Sequence, residues 1–139
     1  MAIQIYGLHA FRQEIQGLIR DVRVTWLLEE LKLPYEYIVL DPDSKVRENF
    51  SESYLRLNPF GKVPTMVDDG FTLFESGAIC EYLEERYGPL GSLLAGDDRH
   101  KCRQWCYFAL STLEPQISRV VAADFFWPIN EGTKEVRSM

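Results

Sequence analysis

The chain is short of the residues from which many functions are built. Of its 139 residues, three are cysteine and two are histidine. Cys80, Cys102 and Cys106 are odd in number and include no C-x-x-C pair, so neither a disulfide framework nor a zinc site is expected. His9 and His100 have no ligand spacing around them, and no metal is expected. Cations are also scarce: 15 Lys and Arg face 21 Asp and Glu, a net charge of −6. That balance lacks the basic face a nucleic acid or an anionic membrane would need. No apolar run approaches the roughly 20 residues of a membrane span. The start, MAIQIYG, shows no basic stretch leading into a long apolar core, so no secretory signal is read. The expectation is a soluble, cytoplasmic protein with one modest core.

What is present is a regular alternation of elements. Ile3 to Tyr6 alternates and stops at Gly7, a first strand. Phe11 to Arg20 reads either as a short helix broken at Gly17 or as a long loop. Asp21 is a plausible N-cap for a helix on which Val24, Leu27, Leu28 and Leu31 form one stripe, and Pro34 ends it. Tyr35 to Leu40 is a second strand. Asp41 to Ser44 is a turn, and Ser44 is positioned to cap a helix running to about Leu57. Asn58-Pro59-Phe60-Gly61 is a turn, and Thr65–Val67 and Phe71–Phe74 are β-prone runs joined at Asp69-Gly70, a tight-hairpin signal. Ser76 then caps a helix with Ile79, Tyr82, Leu83 and Tyr87 on its apolar positions.

The order is β-α-β-α-β-β-α. Two βα units favour a parallel pair and the hairpin adds antiparallel strands, giving a mixed four-stranded sheet covered by helices. Residues 89–97 read as a linker. Asp97 is placed to cap a helix with Cys102, Trp105, Cys106, Ala109 and Leu113 on one face, and packed core cysteines are expected there. Pro115 should kink or interrupt that helix. Ile117, Val120 and Val121 extend the stripe, and Phe125, Phe126 and Trp127 precede a polar tail.

Several motifs together resemble one family. Asn-Pro-x-Gly-Lys-Val-Pro (Asn58 to Pro64), Glu-Ser-Gly-Ala-Ile (Glu75 to Ile79) and Tyr-Leu-x-x-Arg-Tyr (Tyr82 to Tyr87) look like the glutathione-binding half of a cytosolic glutathione S-transferase. Val24 to Glu36 is similar to the first helix and second strand of that family. The resemblance implies an α/β, thioredoxin-like domain over residues 1–88, followed by part of an all-helical domain over residues 98–139. It further implies glutathione as co-substrate, a small electrophile as second substrate, and a homodimer. Family members carry several more helices in the second domain. The resemblance therefore implies a fragment or a short form whose apolar helical surface another chain would cover.

Each candidate site residue has a plain reading and a functional one. Glu75-Ser76 is either a strand end followed by a capping serine or a receptor for an amino-acid zwitterion. In the second reading Ser76 and the helix-start N–H groups hold a carboxylate, and Glu75 holds the ammonium. Val63-Pro64 is an edge device or, if its bond is cis, a docking edge whose Val63 backbone pairs with an extended peptide. Lys62 is a solvated charge or a partner for the glycyl carboxylate. Activation of the thiol is open. The family places a Ser, Cys or Tyr near the end of the first strand, where a hydroxyl lowers the thiol pKa. Leu8 to Arg20 contains none of these and no Thr. Tyr6 at the strand end is one candidate. His9, Arg12, Arg20 or a backbone N–H are others, and loss of activation is the third. The implied reaction is attack of glutathione thiolate on an electrophilic carbon. The alternatives are a non-catalytic glutathione- or protein-binding relative, or another glutathione enzyme such as an isomerase, dehalogenase or thiol-disulfide reductase.

Overall fold

Four strands form one sheet in the order β2-β1-β3-β4. In the computed structural model, which describes residues 3–8, 19–41, 47–89, 96–125, 130 and 134, β1 is Ile3–Gly7 and β2 is Tyr35–Val39. The two are parallel, joined through α1 (Asp21–Glu30). β3 (Thr65–Asp68) lies antiparallel to β1, and β4 (Phe71–Phe74) antiparallel to β3. The hairpin turn places Asp69 at φ 48° and Gly70 at φ 84°. Two successive left-handed residues suit the twist of the flanking strands, which is why Asp-Gly sits there.

The core lies on one face of this sheet. Ile5 and Met66 are paired across β1 and β3, and their side chains meet Val24 and Leu28 of α1 and Ile79 and Leu83 of α3 (Ser76–Tyr87). All six are fully buried, worth about 1.5–3 kcal/mol each. Alternation along β1 sends Tyr6 to the other face. There it meets α2 (Glu52–Leu57), its ring 5.7 Å from that of Tyr54. The expected mixed sheet and element order are therefore present, with α1 and α3 on one face and α2 on the other.

Capping differs from the expectation. Asp21, Ser76 and Asp97 are first helical residues, preceded by Arg20, Glu75 and Gly96 as the capping positions. Polar and acidic side chains are favoured in the first turn as well as at the cap, so composition alone does not separate adjacent positions. The helix expected from Ser44 to Leu57 is also shorter. A 3-10 turn covers Glu48–Phe50, and α2 starts afresh at Glu52, its Tyr54 N–H donating to the Ser51 hydroxyl at 3.3 Å. Ser44 lies outside the described residues.

The chain divides into two units, Met1–Leu93 and Leu94–Met139. The second contains α4 (Asp97–Tyr107), a π-helical segment (Phe108–Leu113) and α5 (Glu114–Phe125). The α-helical pattern is thus interrupted by the π-helical segment just before Pro115 and resumes across it. The wider turns immediately before the proline accommodate its missing N–H. The stripe expected to be a packed core is solvent-facing: Cys102 and Cys106 are exposed and Trp105 is 65% exposed. Among the described residues, α4 and the π-helical segment bury none of their side chains. Phe126 and Trp127 lie outside the described residues. None of the helices is long and apolar enough to cross a membrane, among the described residues.

Candidate functional site

The sheet topology brings several chain segments to one end. Tyr6 pairs with Thr65 and with Ile38, and Thr65 pairs with Phe74. The carboxyl end of β1, the start of β3 and the end of β4 therefore coincide, and the starts of α1 and α3 follow from them. Val63-Pro64 leads directly into β3 at this end, and β4 leads directly into Glu75-Ser76.

The Val63–Pro64 peptide is cis. Pro64 is buried and Val63 half-buried. Among the described residues, neither the amide nor the carbonyl of Val63 makes a hydrogen bond. A partly exposed backbone donor and acceptor at the mouth of a strand is what an extended ligand needs. Lys62 is exposed at its side chain while its carbonyl is held from two directions, by the Tyr54 hydroxyl and by Asn58 Nδ2 at 2.9 Å.

That double hold belongs to a closed network that the sequence reading missed. Asn58, 1% exposed, also donates from Nδ2 to Thr65 Oγ1 at 3.1 Å and accepts at Oδ1 from the Phe60 N–H at 3.1 Å. Tyr54 and Thr65 hydroxyls lie 2.8 Å apart. Since the Tyr54 proton goes to Lys62, Thr65 is the donor between them. Burial raises the Tyr54 pKa, so it remains a donor at neutral pH. In the sequence Asn58 is a turn residue and the first residue of the Asn-Pro-x-Gly-Lys-Val-Pro motif. Its spacing from Lys62 and Thr65 was visible, but nothing in composition marks a buried amide.

At the opposite side, Glu75 is exposed with φ 73°. A non-glycine residue there is strained, and such strain gathers at binding sites. Ser76 is 3% exposed and its hydroxyl accepts from Arg23 Nη1 of α1 at 3.3 Å. The first turn of α3 contains no acidic residue. Its unpaired N–H groups and positive dipole end are suited to an anion.

The start of α1 holds a further group that the sequence reading assigned differently. Asp21, 3% exposed, accepts at Oδ2 from the Leu8 N–H at 3.2 Å and from the Tyr37 hydroxyl. Burial, followed by the Asp21 bond and charge, raises the Tyr37 pKa far above its usual range. A Cβ at Gly7 would collide with both Tyr37 and Asp21, so this junction requires glycine. Tyr6 is half-buried on the α2 face, its ring against that of Tyr54. Arg20 is exposed, His100 lies on α4 in the second unit, and His9 and Arg12 lie outside the described residues.

The pattern described as the N-terminal domain of glutathione S-transferase matches residues 22–86. Among curated relatives, the chain is 41% identical over 100 residues to glutathione S-transferase 3 of Schizosaccharomyces pombe, covering 70% of this chain and 40% of that protein. It is 41% identical over 101 residues to the glutathione S-transferase hmp2 of Hypomyces subiculosus, covering 73% of this chain and 42% of that protein. The chain thus spans about two-fifths of the length of these relatives. Among solved structures, a theta class glutathione S-transferase from Xanthomonas axonopodis pv. citri, with glutathione bound, superposes with a TM-score of 0.74 at 28% identity, covering 91% of this chain and 57% of that one.

Proposed function

Because the chain is a member of the glutathione S-transferase family through its thioredoxin-like N-terminal domain, we propose that it binds glutathione and transfers its thiolate to a small electrophile. Sulfur forms a bond to an electrophilic carbon, and the bond to a leaving group breaks or a conjugated double bond accepts the electron pair. Ser76 and the start of α3 hold the γ-glutamyl carboxylate, and Glu75 holds the ammonium. The Val63 backbone pairs with the cysteinyl main chain, and Lys62 meets the glycyl carboxylate. The observation that supports this is that Val63, whose backbone makes no hydrogen bond among the described residues, leads into β3 at the sheet end where β4 leads into Glu75 and Ser76. A second copy of the chain and a cytoplasmic setting complete the proposal.

A second reading is a glutathione-holding protein without turnover. It is favoured by the lack of any hydroxyl or thiol from Leu8 to Arg20 and by the packing of Tyr6 on Tyr54. Ultraviolet titration of bound glutathione separates the two. A bound thiol pKa well below about 8.5 supports transfer, whereas binding with an unshifted pKa supports holding alone. Glu75→Ala and Ser76→Ala should each abolish retention on immobilised glutathione while the fold survives. Unchanged retention would remove the site assignment.

A further inference from the structure

α4 carries a feature that the glutathione reading leaves unused. Cys102 and Cys106 both lie within its α-helical span, ahead of the π-helical segment that begins at Phe108, and both are exposed. Four residues make about one turn, so the two side chains leave the same face of the helix with their Cβ atoms about 5–6 Å apart. That separation is too wide for a disulfide, whose Cβ atoms lie about 3.5–4.5 Å apart. It suits two thiolates bound in line to one metal ion, since metal–sulfur bonds of about 2.3 Å set the sulfurs about 4.6 Å apart.

The ligand set selects the ion. Among the described residues, no three His, Cys, Asp or Glu side chains are grouped to hold a metal. Zinc, which takes four ligands in structural sites, therefore has too few. One turn before Cys102 on the same face stands Asp98, a hard oxygen donor whose Oδ1 lies 3.8 Å from Lys101 Nζ. His100 is turned about 200° around the helix from Cys102. What remains is a pair of soft thiolates, the donor type that selects monovalent copper, an ion for which two ligands suffice. Arg99 and Arg103 stand three residues before Cys102 and Cys106 respectively. A guanidinium about one turn from each sulfur offsets the negative charge of a dithiolate complex.

We propose that Cys102 and Cys106 form a two-coordinate site for monovalent copper on one face of α4. Each thiol gives up its proton to solvent and each sulfur donates an electron pair to the ion, which stays monovalent. The site belongs to the second unit and does not depend on the glutathione reading, because both ligands are residues of α4.

Anaerobic titration of the full chain with monovalent copper against bicinchoninate, a coloured competitor for that ion, reads affinity and stoichiometry together. One ion per chain is expected, with release of protons. Cys102→Ser and Cys106→Ser should each weaken binding by at least about 100-fold, the loss of an intramolecular second ligand. Cys80→Ser should leave it unchanged. Because both α4 positions are exposed, helix content should survive these changes, which circular dichroism checks. Cys106→Ser combined with Tyr107→Cys keeps the number of thiols but turns the second one about 140° around the helix from Cys102. It should bind no better than Cys106→Ser alone. Recovered affinity there would overturn the proposal, since any two thiols would then serve. So would loss of copper in Cys80→Ser, a ratio of one ion to two chains, or no binding by the unaltered chain.

Discussion

Removing the two side chains that hold the Lys62 carbonyl should cost more together than the sum of their separate effects. Asn58→Ala deletes three hydrogen bonds, to Lys62, Thr65 and Phe60. At about 1 kcal/mol each, the expected loss is about 3 kcal/mol. Tyr54→Phe keeps the ring that packs on Tyr6 and deletes the bonds to Lys62 and Thr65, a loss of about 2 kcal/mol. In either single variant the Lys62 carbonyl keeps one donor. In the double variant it has neither, and an unsatisfied, partly buried carbonyl adds about 1–3 kcal/mol. Urea denaturation of the four proteins gives the coupling directly, with midpoints displaced by about 1 M for each 2 kcal/mol. A double variant no less stable than the sum of the singles would refute the shared-acceptor network. The same cycle should appear in glutathione affinity, because Lys62 and Val63 follow the network and present the docking edge.

Two other perturbations address separate parts of the site and its scaffold. The Tyr82 hydroxyl donates to Asp68 at 2.8 Å, and burial, then that bond, pushes its pKa up to about 12 from 10.0. The folded state thus prefers the protonated phenol, so this contribution is whole below pH 10 and is lost as pH rises toward 12. Tyr82→Phe should flatten the alkaline decline in stability over that window, and an unchanged slope in pH-dependent thermal melts would dismiss the effect. For the thiol, Tyr6→Phe should leave the pKa of bound glutathione unchanged, since the Tyr6 ring is packed on Tyr54 of α2. A rise on removing the hydroxyl would instead establish Tyr6 as the activator.

The parts of this molecule that were legible in the sequence are those coded by contiguous residues. Asp69-Gly70 announced the hairpin, the Val24–Leu28 spacing announced the buried face of α1, and Val63-Pro64 announced a strand mouth. These depend on backbone preference and on the period of apolar residues, both local properties. Contacts between distant positions were not legible. Arg23 and Ser76 are separated by 53 positions, and neither carries a mark of the other. Tyr54 and Asn58 likewise look like an aromatic on a short helix and a turn residue until the chain folds back over them. The error at α4 had another cause. An apolar stripe shows which face seeks a partner, but not that a partner is at hand; hence Trp105 is exposed.

The start of α1 also bears on how a bound thiol could be activated. A thiolate at this sheet end could draw on backbone N–H groups after β1 or on the positive end of the α1 dipole. Asp21 competes for both. Its carboxylate takes the Leu8 N–H, and its position in the first turn places a negative charge where the dipole would otherwise favour the sulfur. The Tyr37 hydroxyl is spent on the same carboxylate, and its raised pKa keeps it a donor there instead of a group free to turn toward sulfur. Asp21 therefore ties the exit from β1 to the start of α1 and takes up the Leu8 N–H. If a side chain is to stabilise a bound thiolate here, the sequence from Leu8 to Arg20 offers His9, Arg12 and Arg20 in place of the absent hydroxyl. Cationic stabilisation lowers a thiol pKa by Coulomb attraction, which salt screens, whereas a hydroxyl acts by a short hydrogen bond that salt barely alters. Salt dependence of the bound thiol titration consequently distinguishes the two modes of activation in this chain.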